Sequence, residues 1–285
     1  MRFNATFNAI VILDAIPEGE MNTARRLEQE LNDLEYGPAE GLMTQRLQIK
    51  TPIDLQEALQ AVLRSAKEDG LIPWIHLEGH GLDDESGFVT SSGYPISWET
   101  LKNLLIPINV ETKLNVMLIC ATCYGASFVS AMGITDRAPL LGLIGPTREL
   151  TAGEVELDFT AFYRSFFENR ELGEALDSLM ARSSETDLYY GTTARQYFLQ
   201  VWRGYKDKFC TERAIDSRAR KLRKRLKRQH GFFLASVGRI KRDLRSKEPE
   251  LFEKYSSNYF MHDVAPENSG RFPITYSEAN RAAVA

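Results

Sequence analysis

Cysteine is scarce in this sequence, with three residues in 285. That number excludes a disulfide framework and fits a reducing cytosol. Long apolar runs are missing too, since none reaches the eighteen or so residues a membrane-spanning helix needs. The first apolar stretch, Ala9 to Leu13, is short and closed by Asp14, so it does not fit a secretory leader. Neither an internal repeat nor a low-complexity segment is present. These absences predict a soluble, cytoplasmic protein. Its hydrophobic share of 43% is ordinary for a globular chain that builds a sizeable core. The length suits one large domain, or one of roughly 200 residues with a smaller appendage.

The net charge of −4 hides an asymmetry. From Arg203 to Lys247 there are 17 Lys and Arg against 4 Asp and Glu, a local charge of +13. The remainder carries 18 basic and 35 acidic residues, a charge of −17. Within the basic segment, Arg218-Ala-Arg-Lys-Leu-Arg-Lys-Arg-Leu-Lys-Arg puts Leu222 and Leu226 on one face of a predicted helix. Clustered cations neutralise phosphates, so nucleic acid or another acidic partner is one reading. A solvated helix face, or a helix docked on the acidic part of the same chain, is the plainer and commoner one. A membrane-surface helix is disfavoured because the apolar face lacks a strong aromatic component.

Along residues 8–200, strand-like and helix-like segments alternate. Strands are predicted at Asn8–Ile16, Leu42–Ile49, Leu71 to His80, Leu114–Cys120 and Leu140–Ile144. Helices are predicted over Met21–Tyr36, from Pro52 to a stop at Gly70, over Ser97–Leu105 and over Ala126–Met132. Two more are expected near Glu154–Glu168 and Leu172–Met180, and Phe88–Ile96 reads as a hairpin turning at Ser92-Gly93. Such alternation argues for βαβ units and a mostly parallel sheet covered on both faces. Tyr197 to Trp202 fits a last strand or the start of a long helix equally well. The expected division is residues 1–200 as an α/β domain and 201–285 as a basic, mainly helical extension.

Two strands end in reactive side chains. One runs Leu71-Ile-Pro-Trp-Ile-His-Leu-Glu-Gly into His80-Gly81, and the other runs from Leu114 into Cys123-Tyr124-Gly125. The carboxyl ends of parallel strands are where ligands bind in open α/β sheets. A thiol and an imidazole at that edge can act as nucleophile and general acid/base. Cys123, placed between a strand and a predicted helix, would meet the field of a helix N-terminus, which favours a thiolate. The N–H groups of Gly81 and of Cys123 itself are candidate donors to an oxyanion. The plainer alternative is a buried structural thiol and a turn histidine.

An apolar strand ending in His-Gly, a polar hairpin, a helix, then a strand ending in Cys-x-Gly resembles the caspase-like (clan CD) cysteine peptidases. The closest pattern is that of the bacterial CHAT-type domains. Leu140-Leu-Gly-Leu-Ile-Gly-Pro-Thr, the aromatic Phe159–Phe166 segment and Glu171-Leu-Gly-Glu-Ala-Leu extend the likeness over roughly residues 5–200. The resemblance implies a caspase-like three-layer α/β sandwich with a mostly parallel sheet. It also implies a His80–Cys123 dyad with an oxyanion site at Gly81, hydrolysing peptide bonds in a protein substrate. No metal or organic cofactor is implied, and a partner or signal is expected to activate the enzyme in a bacterial defence or cell-death setting. One departure is Ala121, which stands where aspartate-cutting members carry Gln and arginine-cutting members carry Asp. Asp14, at the end of the first strand, is then the candidate carboxylate of a specificity pocket, and a neutral or basic P1 residue is expected over an acidic one.

Two competing arrangements remain. Cys120-Ala-Thr-Cys123 is formally a C-x-x-C motif, and His76, Glu78 and His80 share one strand face, which together suggest a redox pair or a zinc site. Cys120 nevertheless lies inside a dense apolar strand, where packing is the expected role. The other alternative is a non-catalytic binding module of the same fold whose basic helix is the working surface.

Overall fold

The computed structural model describes residues 6–35, 41–181, 188–233 and 235–280. The chain divides into two compact units, Met1–Met132 with Ala138–Ala194, and Gly133–Arg137 with Arg195–Ala285.

The strands of the first unit are β1 (Ala9–Ala15), β2 (Met43–Gln48), β3 (Pro73–Gly81), β4 (Gly87–Val89), β5 (Pro95–Ser97), β6 (Met117–Thr122), β7 (Gly142–Pro146) and β8 (Tyr189–Thr193). They form one sheet in the order β2-β1-β3-β6-β7-β8, with the β4–β5 hairpin joined to the end of β3. All neighbours from β2 to β7 are parallel and β8 is antiparallel. Every residue of β1 and β6 is buried, as continuous apolar runs in a doubly covered sheet must be. β2, at the edge, alternates between exposed and half-buried positions over its first four residues.

The helices of this unit are α1 (Thr23–Glu35), α2 (Pro52–Glu68), α3 (Trp98–Glu111), α4 (Ala152–Asn169) and α5 (Leu172–Ala181). α1 packs against α4 and α4 against α5, while α2 packs against α3. The predicted end of the first helix at Tyr36 lies outside the described residues. α2 starts where its sequence says it should. Thr51 and Asp54 form a reciprocal capping box, and Pro52 takes the first turn. α4 carries Val155, Phe159, Phe162, Tyr163, Phe166 and Phe167 on its buried face. Burial of each such side chain contributes about 1.5–3 kcal/mol. Phe166 meets Trp74 of β3 with ring centroids 4.7 Å apart, which fixes α4 over the β3 face that carries Trp74, His76 and Glu78. The architecture is an α/β sandwich with a mostly parallel sheet, as the alternation of elements predicts.

Three segments differ from the sequence expectation, the first being α3, which continues through Pro107 to Glu111 past its predicted end at Leu105. Beyond Cys123 the chain forms a short 3-10 helix, Gly125–Ala131, and not an α-helix. Tyr124 enters it in the left-handed conformation, and a Cβ on Gly125 would lie 2.4 Å from the Cys120 carbonyl oxygen. The segment is pressed onto the end of β6, so its tight geometry comes from packing. Tyr197–Trp202 is helical, and the last strand is the preceding Tyr189–Thr193. That strand is short, contains Gly191 and is specified by its antiparallel pairing with β7.

The second unit is helical: α6 (Ala194–Phe209), α7 (Glu212–His230), α8 (Val237–Ser246), α9 (Glu248–Tyr259), α10 (Asn268–Arg271) and α11 (Tyr276–Ala279). Its core is aromatic. Phe198 and Trp202 of α6 meet Phe252 of α9 with centroids 5.7 and 5.0 Å apart, and Phe198 also meets Phe260 at 5.3 Å. Among the described residues, no helix is long and apolar enough to cross a membrane.

Candidate active site

The sheet order reverses direction between β1 and β3: β2 lies on one side, and β6 and β7 on the other. Ligand crevices form at such a switch point, outside the carboxyl ends of the strands. Here the β1–α1 loop, the end of β3, the end of β6 and the loop after β7 come together. His80 and Cys123 line two shared depressions at this edge. The first also has Ile16, Glu20, Thr23, Glu78, Ala121 and Leu150 on its wall, and its volume of about 60 Å³ is small. The second, of about 400 Å³, is lined by His80, Gly81, Asp83, Cys123, Tyr124, Glu149 and Leu150. A cavity of that size accommodates a side chain.

Gly81 packs against Cys123 at backbone level. A Cβ on Gly81 would lie 2.1 Å from the Cys123 carbonyl oxygen and 2.9 Å from its carbon. Only glycine lets the two strand ends approach so closely. The orientation of the Gly81 N–H follows from the ladder. Leu82 donates its N–H to the Gly87 carbonyl at 2.9 Å, so Gly81 stands opposite Phe88 at a non-hydrogen-bonded position. Its N–H therefore faces away from β4.

Each reactive group has a partner of its own. The His80 Nε2 lies 2.8 Å from Glu20 Oε2, both side chains being about half exposed. That contact leaves Nδ1 as the imidazole nitrogen available for proton transfer. The Cys123 Sγ accepts from the Leu150 N–H at 3.4 Å, and the thiol donates to the Leu150 carbonyl at 3.8 Å. Leu150 immediately precedes Thr151, whose hydroxyl and backbone form a capping box with Glu154 at the start of α4. The rigid end of α4 thus fixes the backbone that holds the thiol.

Beneath the site runs a buried polar chain. His76 Nε2 meets Glu78 Oε1 at 2.9 Å, its Nδ1 meets the Tyr163 hydroxyl at 3.1 Å, and the Thr23 hydroxyl donates to the other Glu78 oxygen. Burial first, and then the Glu78 charge, hold the Tyr163 hydroxyl well above the ordinary tyrosine range. Tyr163 consequently stays protonated, and its hydroxyl closes a hydrogen-bonded chain that runs from Glu78 through His76.

Cys120 has no share in this chemistry. It is fully buried, it pairs in register with Leu77 on the sheet face opposite His76, and burial pushes its thiol up to about 12. No thiolate forms there at neutral pH. Among the described residues, no group of three or more His, Cys, Asp or Glu side chains is arranged to hold a metal ion.

No protein-family profile matches the chain, and no curated protein matches it in sequence. Among solved structures, it is similar to the X-ray structure of iotapain, a secreted C11 cysteine protease from Bacteroides thetaiotaomicron. The TM-score is 0.47 with 10% sequence identity, over 75% of this chain and 74% of that one. The chemistry of the site is therefore read from its own residues.

Of the residues singled out in the sequence, His80, Gly81, Ala121 and Cys123 come together. Asp14 does not join them. Its carboxylate is fully buried, receives Arg46 Nη1 at 2.7 Å, Asn22 Nδ2 at 3.0 Å and the Ile16 N–H at 3.0 Å, and lines neither depression. Its work is to pin the β1–α1 loop. The carboxylates that face the crevice are Glu20, Glu78, Asp83 and Glu149. No Lys or Arg accompanies them on the lining, among the described residues. Burial, followed by the charges of Glu149, Glu85, Cys123 and Asp83, raises the Tyr124 hydroxyl above its ordinary value. Glu20 and Leu150 were missed in the sequence. Both sit in loops that follow strand carboxyl ends, the one signal available to find them.

Proposed function

We propose that this protein is a cysteine-type endopeptidase, with Cys123 as nucleophile and His80 as general acid and base. The observation that supports this most directly is the meeting of the two side chains in one crevice large enough for a substrate side chain. In this reading His80 Nδ1 takes the thiol proton as Sγ attacks the scissile carbonyl. The oxyanion faces the N–H groups of Gly81 and Cys123. Collapse breaks the C–N bond, His80 protonates the leaving amine, and a thioester remains. His80 then deprotonates a water that hydrolyses the thioester and restores the thiol. Glu20 keeps the imidazole in the productive tautomer throughout.

The lining favours a basic P1 residue, because Asp83 and Glu149 flank the larger depression without a compensating cation. The small volume of the first depression and the Leu150 clasp on the thiol fit an enzyme that is latent until a partner or signal opens the site. A defence or cell-death role follows only from the CHAT-type resemblance.

The test is labelling with peptide acyloxymethyl ketones bearing Arg, Leu or Asp at P1, with and without cell extract as a source of activator. Labelling lost in Cys123→Ala and His80→Ala, kept in Cys120→Ala and strongest with Arg supports the reading. Equal labelling of native protein and Cys123→Ala would remove the dyad, and a dominant P1 Asp would overturn the specificity.

A further inference from the structure

The second unit presents a surface that the peptidase reading leaves unused. Between Ser217 and Arg242 the sequence has eleven Lys and Arg and no Asp or Glu. α7 is anchored by its first half only, through Ile215 and Ala219, its two buried residues. The carboxylates of that half are already engaged: Glu212 by Lys241 and Arg245, and Asp216 by Arg220 and Lys241. From Lys221 to His230 no residue of α7 is buried. Lys221, Lys224, Arg225 and Arg228 stand at i, i+3, i+4 and i+7, which makes one exposed basic stripe over two turns. None of the four has a carboxylate partner among the described residues.

Aromatic rings sit at the end of this helix. Gly231 closes α7 in the left-handed conformation, and Phe232 and Phe233 follow it with 61% and 46% exposure. The guanidinium of Arg223 lies over the Phe233 ring at 3.8 Å, with the Lys227 ammonium at 4.6 Å. Phe232 and Phe233 thus present exposed aromatic surface beside the cationic stripe. A basic stripe that tracks phosphates, ending in rings that stack on bases, is the composition of a single-strand binding surface.

We infer that the free half of α7, with Phe232 and Phe233, binds single-stranded nucleic acid. Duplex is disfavoured because the rings have no unpaired base to stack on. A membrane surface is disfavoured because the helix itself offers only Leu222 and Leu226 as apolar residues in this half, too narrow a face for interfacial burial.

Fluorescence anisotropy of the full chain with labelled U20 RNA and dT20 DNA tests the inference. A self-complementary duplex and phosphatidylglycerol vesicles are the competitors. Neutralising about four phosphates predicts a salt slope near −2.8, hence about 50-fold weaker binding at 200 mM than at 50 mM NaCl. Changing Lys221, Lys224, Arg225 and Arg228 together to Gln should remove most of that slope. Phe232→Ala and Phe233→Ala should each weaken binding about tenfold and leave the slope unchanged. All these positions lie outside the peptidase crevice, so thiol labelling should stay native in every variant. RNA or DNA as the tighter ligand identifies the natural strand, and either supports the surface. No binding to either strand at 50 mM NaCl, duplex or vesicles outcompeting both, or a slope indifferent to the Gln changes would each overturn it.

Discussion

Gly81→Ala is the most informative single change in the first unit, because it acts on the site through backbone alone. The added Cβ would sit 2.1 Å from the Cys123 carbonyl oxygen. Carbon–oxygen contacts relax only beyond about 3.3 Å, so the strand ends must separate by roughly 1 Å. Overpacking of this kind costs about 1–3 kcal/mol. At about 2 kcal/mol, the melting temperature of a unit this size falls by roughly 4–8 °C. The chemical effect is larger. If Cys123 and His80 work as the proposed pair, a displacement of about 1 Å between them costs on the order of 100-fold in rate. The assay pairs thermal unfolding with the alkylation rate of Cys123 by a peptide acyloxymethyl ketone. Gly93→Ala is the control, since Gly93 has φ of +87° but open space around its Cβ position. That variant should lose about 1 kcal/mol to backbone strain and keep the native labelling rate. If Gly81→Ala melts and labels like the native protein, the close approach of β3 and β6 is not what builds the site.

Three further outcomes follow from the same geometry. Asp14→Asn weakens the buried contact with Arg46 and should lower unfolding stability by about 2 kcal/mol, while the P1 preference of peptide labelling stays as it was. A changed P1 preference would return Asp14 to the specificity pocket. Tyr163→Phe leaves His76 Nδ1 without its hydroxyl and should cost about 1–3 kcal/mol in urea unfolding, whereas native stability would mean the buried chain is not continuous. The Thr151 N–H, then the Thr151 hydroxyl and Arg148, hold the Glu154 carboxyl below its ordinary value of 4.5. Its contribution is therefore present above that value and lost as the pH falls through the lower folded one. The protection factors of the amides in the first turn of α4, taken relative to intrinsic exchange at each pH, should fall between pH 5 and 3 in the native protein and change less in Glu154→Gln.

Much of the first unit was legible because its signals are local. Continuous apolar runs marked β1, β3 and β6, Pro52 at the start and Gly70 past the end bounded α2, and Ser92-Gly93 marked the hairpin turn. His80 and Cys123 stood out for the same reason, as reactive groups where buried strands stop. The edge strand Tyr189–Thr193 was not legible, since its five residues become a strand only through pairing with β7. The 3-10 form of Gly125–Ala131 was hidden too, because contact with Cys120 imposes it.

The sequence by itself determined the alternation of elements, the charge division and the two strand ends that carry His80 and Cys123. These follow from periodicity, composition and capping, which act over a few residues. Tertiary structure alone decided that Asp14 is spent on Arg46 and that Glu20 holds His80. It also decided that Leu150 clasps the thiol and that Gly81 lies against Cys123. Such contacts join segments far apart in the chain, and their partners are chosen by how strands and helices pack, which no local pattern of residues records.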